Sequence, residues 1–373
     1  MIEPTRTGAV LTIDLDAIVA NWRQLARQVA PAACAAVVKA DAYGLGAERV
    51  APALAAAGCR TFFVACIDEG LALRAVLDEG AIYVLAGAPR GAESEFARHR
   101  LRPVLNSLAD VDAWAAFARS RPQAPSAALH ADTGMRRLGL APDEVALLAA
   151  APERLAGVTV ACVMSHLACA DLPGDPLNEA QCGAFEAIRR TFPEAQASLA
   201  ASFGIFLGPA YHGTLCRPGA ALYGLSPVPE ELNPMHQVLE LKARILQVRA
   251  IDEGESVGYG ATYRADRRER LVTVGVGYAD GYPRSLSNRG HGYIGDIRMP
   301  LVGRVSMDLT IFDATAVPEE QARIGGIVEL IGPHLSVDAV AADAGTIGYE
   351  ILTNLGRRYR RVYRGGAPGA AEA

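Results

Sequence analysis

The stretch AAVVKADAYGLGA, residues 35–47, decides how the chain is read. It opens as a short, uninterrupted apolar run, the pattern of a strand buried on both faces. It ends at Lys39, where a glycine-bearing loop begins. Seven more runs of this kind follow: FFVAC (62–66), IYVLAG (82–87), RPVLNS (102–107), AALHAD (127–132), TVACVMSH (159–166), QASLAAS (196–202) and AALYG (220–224). Segments of helical periodicity lie between them, for example 67–77 and 108–118. Ahead of the first run, Asp16 is placed to cap a helix whose apolar face is Ile18, Val19, Trp22, Leu25 and Val29. Repeated β-then-α units predict an α/β fold with an N-terminal (β/α)8 TIM barrel; an open doubly wound sheet is the alternative. In a barrel the C-terminal strand ends form the active face, and Lys39 stands at one of them.

Beyond about residue 230 the texture changes. LELKARILQVRAI (239–251) alternates apolar and polar residues as a half-buried strand does. RLVTVGVGY, MPLVGRVSMDLTIFD and GGIVELIG continue in that glycine-punctuated style, followed by a helix near 337–344 and a helical turn near 349–355. The expected division is a barrel over residues 10–232 and a C-terminal mainly-β domain over 233–373, with the first ten or so residues able to join the β domain.

Bulk properties narrow the function. Hydrophobic residues make up 51% of the 373 and charged residues 21%, a balance for a folded, two-domain protein. A net charge of -5 supplies no attraction for nucleic acid or an anionic membrane. The N-terminus carries no basic flank with a long apolar core, and the longest uncharged stretch, 195–216, is broken by polar residues and proline. The seven cysteines form no C-x-x-C pair and lack the spacing of a zinc site, so reduced, mostly buried thiols and a cytoplasmic location are expected, with no metal.

Lysine is scarce: only Lys39 and Lys242 occur. Lys242 sits in an alternating strand and reads as a solvated residue. Lys39, with its apolar approach, has the setting in which an amine loses its proton easily and forms a Schiff base. Taken alone, a lysine whose stem lines a barrel mouth explains it equally well.

The context is wider than one motif. VVKADAYGLGA resembles the cofactor-lysine motif of the alanine racemases, and further matches follow in that family's order. They are HADTGMRRLG (130–139), MSHLACAD (164–171), SLAASFG (198–204), CRPGAALYG (216–224), GVGYADGYPR (275–284), VGRVSMD (302–308) and TIGYEILTNLGRR (346–358). The resemblance extends from about residue 10 to residue 363.

That resemblance implies a homodimeric, pyridoxal-phosphate-dependent enzyme that interconverts L- and D-alanine, serving peptidoglycan supply or catabolism. Lys39 would hold the cofactor and act as one acid/base group, and Tyr278 would be the other, on the opposite side. Two groups are needed because one removes the α-proton from one side and the other returns it from the opposite one. Arg217 would face the pyridine nitrogen, where a guanidinium that gives up no proton leaves the ring a weaker electron sink. Tyr43, Ser202, the backbone at Gly219 and Ala220, and Tyr349 would meet the phosphate, and His166 would lie against the ring. Arg137 and Met307 would bind the substrate end, with Tyr278 and Met307 coming from the partner subunit, so that the active sites are shared. Two positions depart from the family: His130 stands where many relatives carry a carbamylated lysine that restrains the arginine, and Ala201 replaces an asparagine. Arg137 is therefore expected to be restrained differently, by an anion or another carboxylate. A decarboxylase on the same architecture would favour an acidic partner at the pyridine nitrogen, and a non-catalytic carrier would have no use for the second domain.

Overall fold

Burial on both faces is what turns the apolar runs into strands. The computed structural model describes residues 8–121, 124–228 and 232–366. Strands Ala36–Val37, Thr61–Val64, Ala81–Val84, Leu101–Leu105, Ala127–His130, Val160–Met164 and Gln196–Ser198 lie side by side in chain order, each parallel to the next. Phe62, Phe63, Ile82, Tyr83, Val104, Leu129 and Val163 are all fully or almost fully buried, which is why these strands show no polar alternation. Helices such as Ile67–Val76 and Leu108–Arg119 carry the chain from one strand to the next.

The eighth strand is Leu215–Cys216, which pairs in parallel with Ala33 and Cys34. Ala35 N–H and Val37 N–H donate to Cys216 O and Pro218 O at 2.9 Å, and on the other side Arg217 N–H donates to Ala200 O at 2.9 Å. The ring of strands is closed, as a TIM barrel requires and a doubly wound sheet does not. The expected strand at 220–224 is instead a 3-10 turn, Ala220–Tyr223. All four of its residues are buried, so its apolar run carries no period to mark it as a turn, and Gly219 (φ -128°, ψ -81°) swings the chain out of the strand direction just before it.

The first helix, Leu15–Val29, buries Ile18, Trp22, Leu25 and Val29 as its pattern predicts. Its capping side chain is Asp14 rather than Asp16: Asp14 Oδ1 accepts Ala17 N–H at 2.8 Å. Strand Ala9–Asp14 runs straight into the helix, so the capping position falls on the strand's last residue.

Residues 18–236 form one compact unit, and residues 8–17 with 237–365 form a second. In the second, the long strand Leu239–Ile251 is the spine, with Leu241, Ala243 and Ile245 turned into the core. It pairs with Ala9–Asp14 and Ile327–Ile331 along one part and with Glu269–Val274 along another, shifting register between Ile245 and Gln247 as a bulged strand does. Arg360–Arg364 adds in parallel beside Ala9–Asp14, and helices Val337–Ala344 and Gly348–Thr353 complete this mainly-β unit. All seven cysteines are free; Cys59, Cys162 and Cys216 are buried and Cys66 is exposed. Among the described residues no helix is long and apolar enough to cross a membrane, and no cluster of three or more metal-ligating side chains occurs.

Candidate active site

The barrel residues singled out in the sequence all follow the C-terminal ends of strands. Lys39 opens the turn Lys39–Gly44, in which Ala40, Asp41, Ala42 and Tyr43 take left-handed backbone conformations with φ between 52° and 55°. Each such non-glycine residue costs on the order of 1–2 kcal/mol, so the turn persists only because its surroundings hold it. Glu69 ties the turn to the neighbouring strand end: one carboxylate oxygen accepts Ala40 N–H and the other accepts Ala65 N–H, both at 2.7 Å. Asp41 Oδ1 accepts Ala47 N–H at 2.7 Å, and Ala42 N–H donates to Val38 O at 2.9 Å. Burial and the neighbouring Arg137 lower the Lys39 pKa, Glu69 opposes them and Arg217 adds to the lowering.

A cradle of donors lies across the barrel mouth. Tyr43 packs on Tyr223 with ring centroids 4.7 Å apart, and Tyr223 Oη donates to Val37 O at 2.9 Å. A Cβ at Gly219 would stand 2.4 Å from Tyr43 Oη, so glycine is required for this approach. Ser202 Oγ accepts the N–H groups of Gly219 (3.0 Å) and Ala221 (3.1 Å), leaving its own proton to donate. Between them, the N–H of the buried Ala220 has no acceptor among the described residues.

Arg217 is only 3% exposed, yet no carboxylate pairs with it among the described residues. Its Nη1 donates to Ser198 O at 2.7 Å and Ser198 Oγ at 2.5 Å, and its Nη2 to Ser165 O at 2.7 Å. Burial brings its pKa down to about 10. His166 stands 3.5 Å from Arg217 Nη2 through Nδ1; burial, then Arg217, Arg137, Lys39 and His130, press its pKa down to about 3 and keep the ring neutral.

Arg137 lies in the loop after strand Ala127–His130, shaped by Asp132 Oδ1, which accepts Gly134 N–H (2.8 Å) and Arg136 N–H (3.1 Å). Gly139, at φ +110°, is needed there because a Cβ would meet Asp132 N at 2.8 Å. Among the described residues Arg137 has no hydrogen-bond or ion-pair partner, so no carboxylate restrains it. His130 is engaged elsewhere, its Nδ1 lying 2.8 Å from Asn106 Oδ1.

Three residues that sequence reasoning passed over are structural partners of this site. Glu69 reads as an ordinary first-turn acid of a helix. Asn106 ends a strand with no motif to mark it. Gln181, fully buried, donates from Nε2 to His166 O (2.9 Å) and accepts Ala168 N–H (2.8 Å), fixing the loop that follows His166. It shares the buried face of its helix with Asn178 and Phe185, so no apolar stripe in the sequence marks it as buried.

Tyr278, Met307 and Tyr349 belong to the second unit. Tyr278 starts the 3-10 turn Tyr278–Asp280 and is 43% exposed, and Met307 is 54% exposed. Tyr278 N–H donates to Ser306 O at 3.0 Å and Ala279 N–H to Met307 O at 2.9 Å, so the two segments run against each other. Tyr349 sits in helix Gly348–Thr353.

Comparison with known proteins accounts for both units. A family model described as alanine racemase, N-terminal domain, matches residues 13–227, and one described as alanine racemase, C-terminal domain, matches residues 238–363. The chain is 54% identical over 370 residues to an alanine racemase of Rhodospirillum rubrum, covering 98% of this chain and 99% of that one. It is 49% identical over 366 residues to a catabolic alanine racemase of Mesorhizobium japonicum, covering 98% and 96%. Among solved structures it is similar to the Bartonella henselae alanine racemase with covalently bound pyridoxal phosphate, at TM-score 0.92 and 43% identity over 96% of this chain and all of that one. End-to-end matches of this strength, on a barrel whose motif residues gather at one mouth, show that the chain belongs to the alanine racemase family.

Proposed function

We propose that this chain racemises alanine, with Lys39 and Tyr278 as the two proton-transfer groups and pyridoxal phosphate as cofactor. The observation that carries the reading is a cluster of positive charges that outnumbers the anions beside it: Lys39, Arg137 and Arg217 act on the protonation of their neighbours, opposed by Glu69 at Lys39 and by Asp132 at His130. A group carrying a phosphate and an aromatic ring fits that imbalance and fills the donor cradle of Ser202, Gly219 and Ala220 beside Tyr43. When bound, pyridoxal phosphate supplies an electron-withdrawing ring that eases loss of the substrate's α-proton.

The chain's own residues then divide the work. Lys39, its pKa lowered by burial, offers a neutral amine at lower pH than a solvated lysine and holds the cofactor. Arg217, anchored to Ser165 and Ser198, keeps a proton it does not surrender, which limits electron withdrawal and favours return of the proton to the α-carbon. His166, held neutral, would face the cofactor without adding charge, and Tyr43, Ser202 and Tyr349 would hold its phosphate. Arg137 and the backbone at Met307 take the substrate carboxylate. Tyr278 of one subunit completes the site of its partner in a homodimer. Seven free cysteines suit a reducing, cytoplasmic setting, and relatives of both biosynthetic and catabolic description leave either use open to this one chemistry.

A buried arginine bound to barrel carbonyls, with no acid beside it, speaks against the decarboxylase alternative. The test is chiral chromatography of L-alanine incubated with protein and pyridoxal phosphate, beside Lys39→Ala. D-alanine from wild type alone supports the reading; none from cofactor-loaded wild type overturns it.

A further inference from the structure

We propose that Arg358 is a positioning residue for Tyr278 and Met307, locking the turn that carries the one and the loop that carries the other into a single body. The inference rests on the racemase reading above, which gives those two side chains their tasks. Arg358 Nε lies 2.9 Å from Asp280 Oδ1, and its Nη1 lies 2.7 Å from Asp308 Oδ1. Asp280 ends the turn that Tyr278 begins, and Asp308 follows Met307 directly. One guanidinium therefore holds both segments, hydrogen-bonded to Asp308 and ion-paired with Asp280.

The grip reaches the backbone of the turn. Asp280 is 4% exposed, and its second oxygen accepts Gly277 N–H at 2.9 Å, one residue before Tyr278. Its carbonyl accepts Gly356 N–H at 2.9 Å, which fixes the segment leading to Arg358 against the turn. From below, Gly277 fits so closely that a Cβ there would lie 2.3 Å from Ser306 O and 2.4 Å from Met307 O. The Tyr278 turn and the Met307 loop are thus joined by two backbone hydrogen bonds on one side and by the arginine on the other.

Magnitude separates this role from simple stabilisation. The Arg358 side chain is 51% exposed and that of Asp308 is 55% exposed. The pair with Asp308, so exposed, contributes little to folding, whereas the pair with the buried Asp280 contributes more. Proton transfer is far more sensitive, because displacing a reacting group by about 1 Å costs on the order of a hundredfold in rate.

The experiment uses the cofactor-loaded enzyme and three variants: Arg358→Gln, Arg358→Lys and Asp308→Asn. Arg358→Gln is expected to lower kcat/KM by about tenfold or more, beyond what the accompanying fall in melting temperature accounts for at the assay temperature. Its α-deuterium isotope effect should rise in one direction of racemisation and not in the other, since only one of the two proton-transfer groups is displaced. Arg358→Lys should recover part of the rate, and Asp308→Asn, which frees only the Met307 arm, should raise KM with kcat nearly held. Wild-type kinetics and isotope effects in Arg358→Gln overturn the proposal, as does a loss that only tracks the fraction of unfolded protein. If Arg358→Gln fails to fold, an unchanged KM in Asp308→Asn overturns it. Wild type that racemises no alanine sinks the racemase reading as well, so the two failures are told apart.

Discussion

Glu69 accepts the N–H of Ala40 at 2.7 Å, one residue beyond Lys39, while its other carboxylate oxygen accepts Ala65 N–H at the same distance. One side chain thus ties the left-handed turn after Lys39 to the end of strand Thr61–Val64. Glutamine at position 69 keeps one acceptor and presents an amide N–H to the other donor. Glu69→Gln is expected to lose about 1–3 kcal/mol of stability in chemical unfolding. The Lys39 pKa should fall further, because the opposing charge of Glu69 is gone. Amine labelling of Lys39 in cofactor-free protein, followed against pH, would show the shift; an unmoved labelling profile would contradict it.

Arg217 makes the opposite case, a cation held by carbonyls rather than by an acid. Lysine there cannot span Ser165 O and Ser198 O as the guanidinium fork does, so Arg217→Lys should leave a buried carbonyl unpaired and cost about 1–3 kcal/mol. A buried ammonium also gives up its proton where arginine does not. Pyruvate, the product expected when the α-proton is not returned, should therefore accumulate faster per racemisation event. A coupled lactate dehydrogenase assay reads this directly, and a pyruvate ratio equal to that of wild type would count against the role assigned to Arg217.

His130 and His166 tie stability to pH on the acid side. Their pKa values are lowered from 6.5 to about 4 and about 3, in each case by burial first and then by nearby cations. Below pH 6.5 the unfolded chain takes up these protons and the folded chain does not, so stability is present above 6.5 and lost as pH falls towards 4. Each histidine contributes a slope approaching about 1.4 kcal/mol per pH unit. Urea unfolding at pH 7.5 and pH 4.5 should show the loss, and His130→Gln should flatten it by nearly half.

Much of this was legible before any coordinates. Buried parallel strands must be apolar throughout, so seven of the eight could be placed from their runs, and Lys39 fell at a strand end as expected. The eighth is only two residues long, Leu215–Cys216, and the longer apolar run after it carries the stronger strand signal. The left-handed turn was not readable, because DAYG offers glycine only at its end, and the backbone of Ala40 to Tyr43 is imposed from outside by Glu69 and Asp41. Glu69, Asn106 and Gln181 act through contacts 29, 24 and 15 residues away along the chain, and no local pattern marks such partners. The motif residues were found because chemistry fixes their type, whereas their supports are fixed only by where the fold happens to bring a donor.

Asn106 and His130 lead to the last prediction. The Asn106 amide nitrogen donates to Leu85 O (3.1 Å) and Val104 O (3.0 Å), so its oxygen is the end that faces His130. His130 must then carry its proton on Nδ1, 2.8 Å away, which leaves Nε2 as a bare acceptor on a ring kept neutral above about pH 4. Position 130 thus offers a lone pair instead of a carbamate, and forming it consumes no carbon dioxide. Racemisation should be unchanged in carbon-dioxide-free buffer and on adding bicarbonate. Asn106→Leu should remove the tautomer lock and lower stability in urea unfolding by about 1–3 kcal/mol, because the Leu85 and Val104 carbonyls lose the amide that donates to them. Activity that rises severalfold with bicarbonate would show that a carbamate, on some other amine, still does this work.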